Sequence, residues 1–461
     1  MNAIPYDAFL ASKAPRAIER GLSVIPTLSS SLFPFQRHCV ETMLRVGAGG
    51  MFLDTGLGKT ICELEWSEHA RNASNGKALI LTPLAVARQI EREGLKFGYP
   101  ARVISDQSEA REGINICNYD RMHLIVPDEF GAVALDESSI LKNFTGKTTR
   151  LLIDSFAGHR WKLSATATPA PNDHMELGQH SEFCGIMAAN EMLSRFFIND
   201  ASTASQQWRL KRHGVAAFWD WMASWCRMAQ LPSDLGYADD GYILQPLKIE
   251  RHRAAESAPR VTGGLFGDDA VSATNMHTVK RNTAENRARI AADLATSDRE
   301  PWVIWCDTDY ESDALLGALK GVPGVGEVRG SHSPERKEST LLGFADGAIR
   351  VLITKPSVTG HGLNWQHCAR TTFVGRSFSY EAWYQAVRRF WRFGQIREVQ
   401  VHLVVAEGED SIARVIDRKA DDHAGMKLAM RAAMRRNMGK ESIVKVAYKP
   451  EHLGRMPTWI K

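Results

Sequence analysis

Apolar runs of three to seven residues alternate along this chain with longer segments whose apolar positions recur every three or four residues. In the first half the runs are MFL (Met51 to Leu53), KALILTP (Lys77 to Pro83), INICNYD (Ile114 to Asp120), GAVALDESS (Gly131 to Ser139) and the start of HRWKLSATATPAPND (His159 to Asp173). Each reads as a buried strand. Between them fall helical patterns: LFPFQRHCVETML, where Leu32, Phe35, Cys39, Val40 and Met43 share a face, then ICELEW, LAVARQIEREGLKF and LLIDSF. The second half repeats the theme, with strands PWVIWCDT (Pro301 to Thr308), RVLITKP (Arg350 to Pro356), RTTFVG (Arg370 to Gly375) and VQVHLVVAE (Val399 to Glu407), and helices DALLGALK and YEAWYQAVRRFWRFG. Such alternation predicts a parallel, doubly wound α/β sheet, here twice over.

Residues 174 to 300 lack that alternation. Within QQWRLKRHGVAAFWDWMASWCRM, Phe218, Trp221, Met222 and Trp225 share a helical face, with Trp219 off it. A stripe at that spacing reads first as core packing, although aromatics beside Lys211, Arg212 and Arg227 can also stack on bases. Residues 251 to 283 are small, polar and Gly-containing, as in a linker or mobile loop, and residues 1 to 30, with Pro5, Pro15 and Pro26, read as an irregular leader. The predicted division is a leader (1–30), a first lobe (31–180), a helical insertion and linker (181–290), a second lobe (291–426) and a basic tail (427–461).

The chemistry concentrates where strands end. After Leu53 comes Asp54-Thr55-Gly56-Leu57-Gly58-Lys59-Thr60, then a helical pattern, which is the order of a phosphate-binding loop. Gly56 and Gly58 let backbone N–H groups turn inward, the helix start adds its dipole, Lys59 reaches outer phosphates and Thr60 offers its hydroxyl to Mg²⁺. Leu53 stands where the full GxxxxGK[ST] pattern has glycine, and a bare GKT also occurs by chance. Asp136-Glu137 closes another strand, 76 residues after Thr60. An acidic pair there is often a helix cap, but behind a phosphate loop it suits nucleotide hydrolysis, with Asp136 on Mg²⁺ and Glu137 activating water. Gln36 at the first helix can donate and accept together and so read adenine, though a glutamine there is by itself more often a surface residue. The hydroxyls and prolines after Trp161 suit a turn reporting on the acidic pair, or simply a stiff loop. In the second half Gln385, Arg388, Arg389 and Arg392 share one segment, and Arg389 and Arg392, three apart, are expected on one helical face.

Composition changes this picture little. The chain has 461 residues, 44% hydrophobic and 24% charged, enough for about three domain-sized units. Its net charge of +4 is modest, but nine Lys or Arg against two Glu from Lys427 to Lys461 give the tail +7. That favours either a nucleic-acid backbone or a solvated helical face. Seven scattered cysteines without a CxxC pair, and fifteen histidines without an HxxxH or Cys/His array, argue against disulfides and zinc and for a reducing cytoplasm. No run reaches the length of a membrane span and no signal peptide is legible.

The order of these segments resembles the superfamily-two helicase-like ATPases, and within them the Swi/Snf type of double-stranded DNA translocase, over residues 32 to 420. LFPFQ is similar to LxPYQ, DTGLGKT to DEMGLGKT, LDESSILKN to the DEAH-type box with its Lys-Asn, LSATATPAPND to LTGTPxxN, LITKPSVTGHGLNW to STxAGGxGxNL, and QAVRRFWRFGQ to QAxxRxxRxGQ. LILTPLAV resembles the motif that touches the nucleic-acid backbone. Compact members with a DESS box, which this chain resembles, are typical of phages and prophages. The resemblance implies two RecA-like lobes with ATP between them. ATP is held by Gln36, Thr55, Gly56, Leu57, Gly58, Lys59 and Thr60, and Mg²⁺ by Thr60 and Asp136. Lys59, Asp136, Glu137, Arg389 and Arg392 carry catalysis. Coupling falls to Thr166, Thr168, Gly360, Gly362, Asn364 and Gln385, and nucleic-acid contacts to Thr82, Pro83, Asn118, Tyr119, Thr354 and Lys355. Ser138-Ser139 replaces the family's Ala-His, so the link from that histidine to the coupling motif has to be made differently. Thr359 stands at the first glycine of GG.

The expected protein is a monomeric ATP-driven motor on double-stranded DNA, working without a membrane in the cytoplasm of a bacterium or phage-infected cell, with a phage or host protein as a further partner. A strand-separating DNA or RNA helicase and an ATP-gated DNA clamp or scaffold are the rival readings.

Overall fold

A computed structural model describes residues 17–170, 173–200, 207–255, 280–359, 364–375, 379–406, 425 and 428–436. Nine strands precede residue 230: β1 (Ala48–Leu53), β2 (Lys77–Thr82), β3 (Ala101–Val103), β4 (Gly113–Asn118), β5 (Ala132–Asp136), β6 (Trp161–Ala165), β7 (Phe197–Asp200), β8 (Gln207–Leu210) and β9 (Cys226–Ala229). Seven make one sheet in the order β3-β4-β2-β5-β6-β1-β9, every described pair parallel. β7 and β8 form a separate antiparallel hairpin. The second sheet, again all parallel, has the order β10-β15-β14-β11-β13-β12. Its strands are β10 (Lys248–Ala254), β11 (Trp302–Trp305), β12 (Val325–Val328), β13 (Val351–Thr354), β14 (Arg370–Phe373) and β15 (Gln400–Ala406). These are the two RecA-like α/β lobes that the alternation predicts.

A parallel sheet is covered on both faces, so its strands read as continuous apolar runs. The period of two sorts those runs: in β2, Leu79 and Leu81 join one core cluster while Ala78 and Ile80 join the other. In the second lobe Val303, Trp305 and Leu352 face one way and Trp302, Ile304 and Val351 the other.

Several elements differ from expectation. The stretch expected as a helical insertion contributes β9, which pairs with β1 through Gly50 and Cys226, so first-lobe structure continues well past residue 180. The helix Val215–Ala223 buries Trp219 as well as Phe218, Trp221 and Met222, because it lies in the first-lobe core with aromatic partners all round. The region expected as a linker from residue 251 begins inside β10, an edge strand whose alternating charged residues hid it. β3 and β12 each pair on one side only and are too short to register as apolar runs. Of the basic tail, residues 428–436 are helical: Met430, Ala433 and Met434 are buried in the first-lobe core, Arg431 pairs with Asp234 and Arg436 lies 3.3 Å from Asp220. This part of the tail is a docking helix with two of its arginines matched to acids, not a free basic surface. Residues 437–461 lie outside the described residues, as do Gly360 and Gly362.

Candidate ATP site between the lobes

β1, β2, β5 and β6 all present their carboxyl ends to one edge of the first sheet, the edge where ligands of open α/β sheets gather. From that edge come the glycine loop after Leu53, Thr82, the Asp136-Glu137 pair and Thr166. A cleft at this edge is lined by Thr55, Gly56, Gly58, Lys59, Thr60, Asp136 and Glu137 from the first lobe and by Gln385, Arg388, Arg389 and Arg392 from the second. Lys59, the acidic pair and both candidate arginines therefore share one cavity.

The loop has the backbone its glycines predict. Gly56 has φ +94° and Gly58 φ +77°, and the helix Lys59–Asn72 starts directly behind. Lys59 Nζ donates to the Leu53 carbonyl at 3.1 Å. Leu57 is buried, its carbonyl accepting from Gln36 Nε2 at 2.9 Å. Gln36 Oε1 meanwhile accepts from the Phe33 N–H at 2.9 Å, because Gln36 is the third residue of a helix that starts at Pro34. Gln36 thus ties the helix cap to the phosphate loop, on which its amide closes.

The acidic end of the cleft is buried. Burial, with Glu137 beside it, pushes the Asp136 carboxyl up to about 7, and Asp136 Oδ2 accepts from the Thr82 hydroxyl at 2.8 Å. Glu137 is the positive-φ residue other than glycine among the described residues, at φ 51°. A left-handed backbone is strained for glutamate and is retained where a side chain must be aimed. Glu63, one helical turn after Lys59, is buried next to Asp136, and burial, with the Asp136 and Glu137 carboxylates beside it, holds its carboxyl well above the usual range. Thr60, Asp136 and Glu137 line the same cleft, and a hydroxyl beside carboxylates is the oxygen chemistry that a hard divalent cation takes. Glu63 is not legible in the sequence because it reads as one more polar position of a helix.

Opposite lie the two buried arginines. Burial pushes the Arg389 guanidinium down to about 9 and that of Arg392 down to about 10, so both stay charged at neutral pH, and the buried Arg392 Nε has no hydrogen-bond acceptor among the described residues. They are not on one helical face: the helix ends at Val387 and both arginines sit on the tight turns that follow, with Phe390 N–H bonded to the Val387 carbonyl. Arg388, absent from the expected catalytic set, donates to the Thr55 carbonyl at 2.6 Å across the lobes.

Two hydrogen-bonded chains leave the acidic pair, the first through residues expected to couple the lobes. Thr166 Oγ1 is 3.5 Å from Glu137 Oε2 and accepts from the Thr168 N–H, and Thr168 Oγ1 lies 3.4 Å from Gln385 Nε2 of the second lobe. The second chain stands where the family's histidine is missing. Ser138 and Ser164 hydroxyls are 2.9 Å apart, Ser164 Oγ is 2.7 Å from His180 Nδ1, and His180 Nε2 is 2.9 Å from the Pro169 carbonyl. A carbonyl can only accept, so the proton sits on Nε2 and Nδ1 accepts from Ser164. A histidine so far along the chain from Ser138 follows from no motif spacing; the fold brings it to Ser164. Asn364 is exposed and contacts Gln366.

The nucleic-acid contacts expected of side chains need correction. Thr82, Asn118, Tyr119 and Thr354 are all buried: Thr82 is bound to Asp136, Asn118 caps the following turn through Arg121 N–H, Tyr119 donates to the Asp136 carbonyl and Thr354 donates to the Val328 carbonyl. Lys355 is paired with Asp309 at 2.8 Å. Strand-end residues inside a doubly wound sheet point into the core, and the surface belongs to the residues after them. A second cleft between the lobes is lined by Pro83, Leu84, Lys142, Asn143, Pro356 and Ser357 among others, with Lys142 paired to Glu381 across it.

Two RecA-like lobes face each other here, with a glycine loop from the first and an arginine segment of the second lining one cleft. Among solved structures, S. cerevisiae Dbp5 bound to RNA and ADP BeF3 is similar with a TM-score of 0.55 and 14% identity, covering 87% of this chain and 93% of that one. The Sulfolobus solfataricus SWI2/SNF2 ATPase core in complex with dsDNA covers 92% and 100% at 16% identity and a TM-score of 0.40. Among curated proteins, the putative protein p41 of Acyrthosiphon pisum secondary endosymbiont phage 1 is 24% identical over 87% of this chain and 98% of its own length. No protein-family model matches. No helix among the described residues is long and apolar enough to cross a membrane.

Proposed function

We propose that this chain is an ATP-driven motor on nucleic acid, with double-stranded DNA as its track. One observation carries the reading: the phosphate-loop lysine, the acidic pair and two arginines from the other lobe line a single cleft. ATP phosphates draw Lys59 away from the Leu53 carbonyl and are met by loop N–H groups. Thr60 and Asp136 would hold Mg²⁺, which would neutralise phosphate charge. Glu137 orients and deprotonates the attacking water. Arg389 and Arg392 offset the charge that develops on the transferred phosphoryl group.

The nucleotide's state at the acidic pair passes through Thr166 and Thr168 to Gln385, and through Ser138, Ser164 and His180 to the loop at Pro169. The cleft that contains Pro83, Asn143, Pro356 and Ser357 is the path for the nucleic-acid backbone, gripped without regard to sequence and sensitively to salt. The order of Swi/Snf-like motifs supports duplex DNA, while the fold likeness to Dbp5, solved with RNA, supports a strand-separating alternative. The phage relative supports a setting in a bacterium or phage-infected cell, where the protein works as a monomer, with a phage or host partner.

ATPase rates with duplex DNA, single-stranded DNA and RNA side by side test this. Duplex DNA is expected to stimulate most, and Glu137→Gln to cut turnover by about 10²-fold or more while ATP still binds. Triplex displacement without duplex opening marks a translocase, and duplex opening marks the helicase. Turnover indifferent to every nucleic acid, with the biological role intact in Glu137→Gln, marks a clamp or scaffold.

A further inference from the structure

β10 and β15 run parallel with Glu250 opposite His402 and His252 opposite Val404. Residues two apart on a strand share a face, so Glu250 and His252 emerge together, and His402 joins them from the next strand. His252 Nε2 is 3.0 Å from His402 Nδ1, and Glu250 Oε2 is 3.5 Å from that same nitrogen. The other carboxylate oxygen, Oε1, is taken by Lys248 at 2.8 Å. His402 is buried and lies nearly parallel to the Trp302 ring, with centroids 5.6 Å apart and planes 19° apart.

A hydrogen bond between the two imidazoles accounts for two of these groups and leaves the carboxylate oxygen unexplained. All three donor atoms lie within 4.8 Å of one another. Metal–ligand bonds of about 2.0–2.2 Å in a tetrahedron put ligand atoms about 3.3–3.6 Å apart, close to the spacings observed. Two imidazole nitrogens and one carboxylate oxygen on one face, with a position left for water, suit zinc and its first-row neighbours better than magnesium or calcium. The ordered strand pair and the stacked Trp302 hold the donors in place before any ion arrives.

We propose that Glu250, His252 and His402 form a binding site for a zinc-class divalent ion that fastens β10 to the second lobe. β10 follows the segment leaving the first lobe, where the Gln245 carbonyl accepts from Trp391 Nε1 at 2.7 Å, so the ion anchors the chain at its passage between lobes. None of the three residues lines the ATP cleft. The histidines are hidden in the sequence because a strand site is written as alternate residues plus a distant third, not as a helical HxxxH or a Cys/His array.

The test is titration of the EDTA-stripped full chain with Zn²⁺ by calorimetry and with Co²⁺ by visible absorption. One ion is expected to bind, with Co²⁺ showing d–d bands and Zn²⁺ raising the melting temperature. His252→Gln and Glu250→Gln, both at part-exposed positions, are expected to weaken binding by about tenfold or more. Asp136→Asn is expected to leave it unchanged, which separates this site from the magnesium position of the ATP reading. A wild-type chain that binds neither ion, or binding unaltered in His252→Gln, overturns the site.

Discussion

The hydroxyl of Tyr384, in the second lobe, lies 2.6 Å and 2.7 Å from the two carboxylate oxygens of Asp54 at the start of the phosphate loop. Arg388, one helical turn on, reaches the next carbonyl of that loop at Thr55 and comes within 3.5 Å of Asp54. The two lobes are thus joined at the loop itself. Tyr384→Phe removes a hydrogen bond to a charged group, worth about 1.5–3 kcal/mol. Interlobe distance measured by fluorescence transfer without nucleotide is expected to shift towards the open state by about tenfold or more in population.

Gly56→Ala tests the same contact from the loop side. A Cβ there would lie 2.8 Å from the Phe393 backbone nitrogen, at a φ of +94° that alanine resists. Backbone strain of about 1–2 kcal/mol, added to displacement of the second lobe, is expected to lower the melting temperature and weaken ATP binding. Equilibrium binding of a fluorescent ATP analogue checks this.

Much of the fold is legible because parallel strands buried on both faces must be continuous apolar runs, as KALILT and VLIT are. The edge elements are not: β10 is polar for a strand, and β3 and β12 are too short. Within the site, the glycine loop and acidic pair follow from local order along the chain. Thr82 and Tyr119 misled because strand ends turn inward to Asp136. Tyr384, Arg388, Glu63 and His180 are tertiary partners, brought together only by the meeting of lobes or of distant turns.

The Ser138–Ser164–His180 chain is expected to carry coupling. Ser164→Ala leaves His180 Nδ1 buried without its donor, at a cost of about 1–3 kcal/mol. Nucleic-acid stimulation of ATPase activity is expected to fall while unstimulated turnover and ATP binding persist, checked by steady-state rates with and without duplex DNA.

His180 also gives the fold a pH dependence. Burial pushes its imidazole from the ordinary 6.5 down to about 4. With the folded value depressed, the unfolded chain takes up the proton first, so stability present above pH 6.5 is lost as pH falls towards 4. The loss amounts to about 3 kcal/mol. Urea unfolding between these pH values is expected to show this slope in the difference between the wild type and His180→Gln, since Asp136, raised to about 7, contributes a slope of opposite sign to both.

Single-turnover hydrolysis by Arg389→Lys and Arg392→Lys, with ATP affinity measured alongside, tests most directly whether one nucleotide is worked on by both lobes. Lysine keeps the charge but loses the planar fork. The account predicts a fall in the chemical step of about 10³-fold or more with ATP affinity changed only a few-fold. Unaltered hydrolysis in both variants would contradict it.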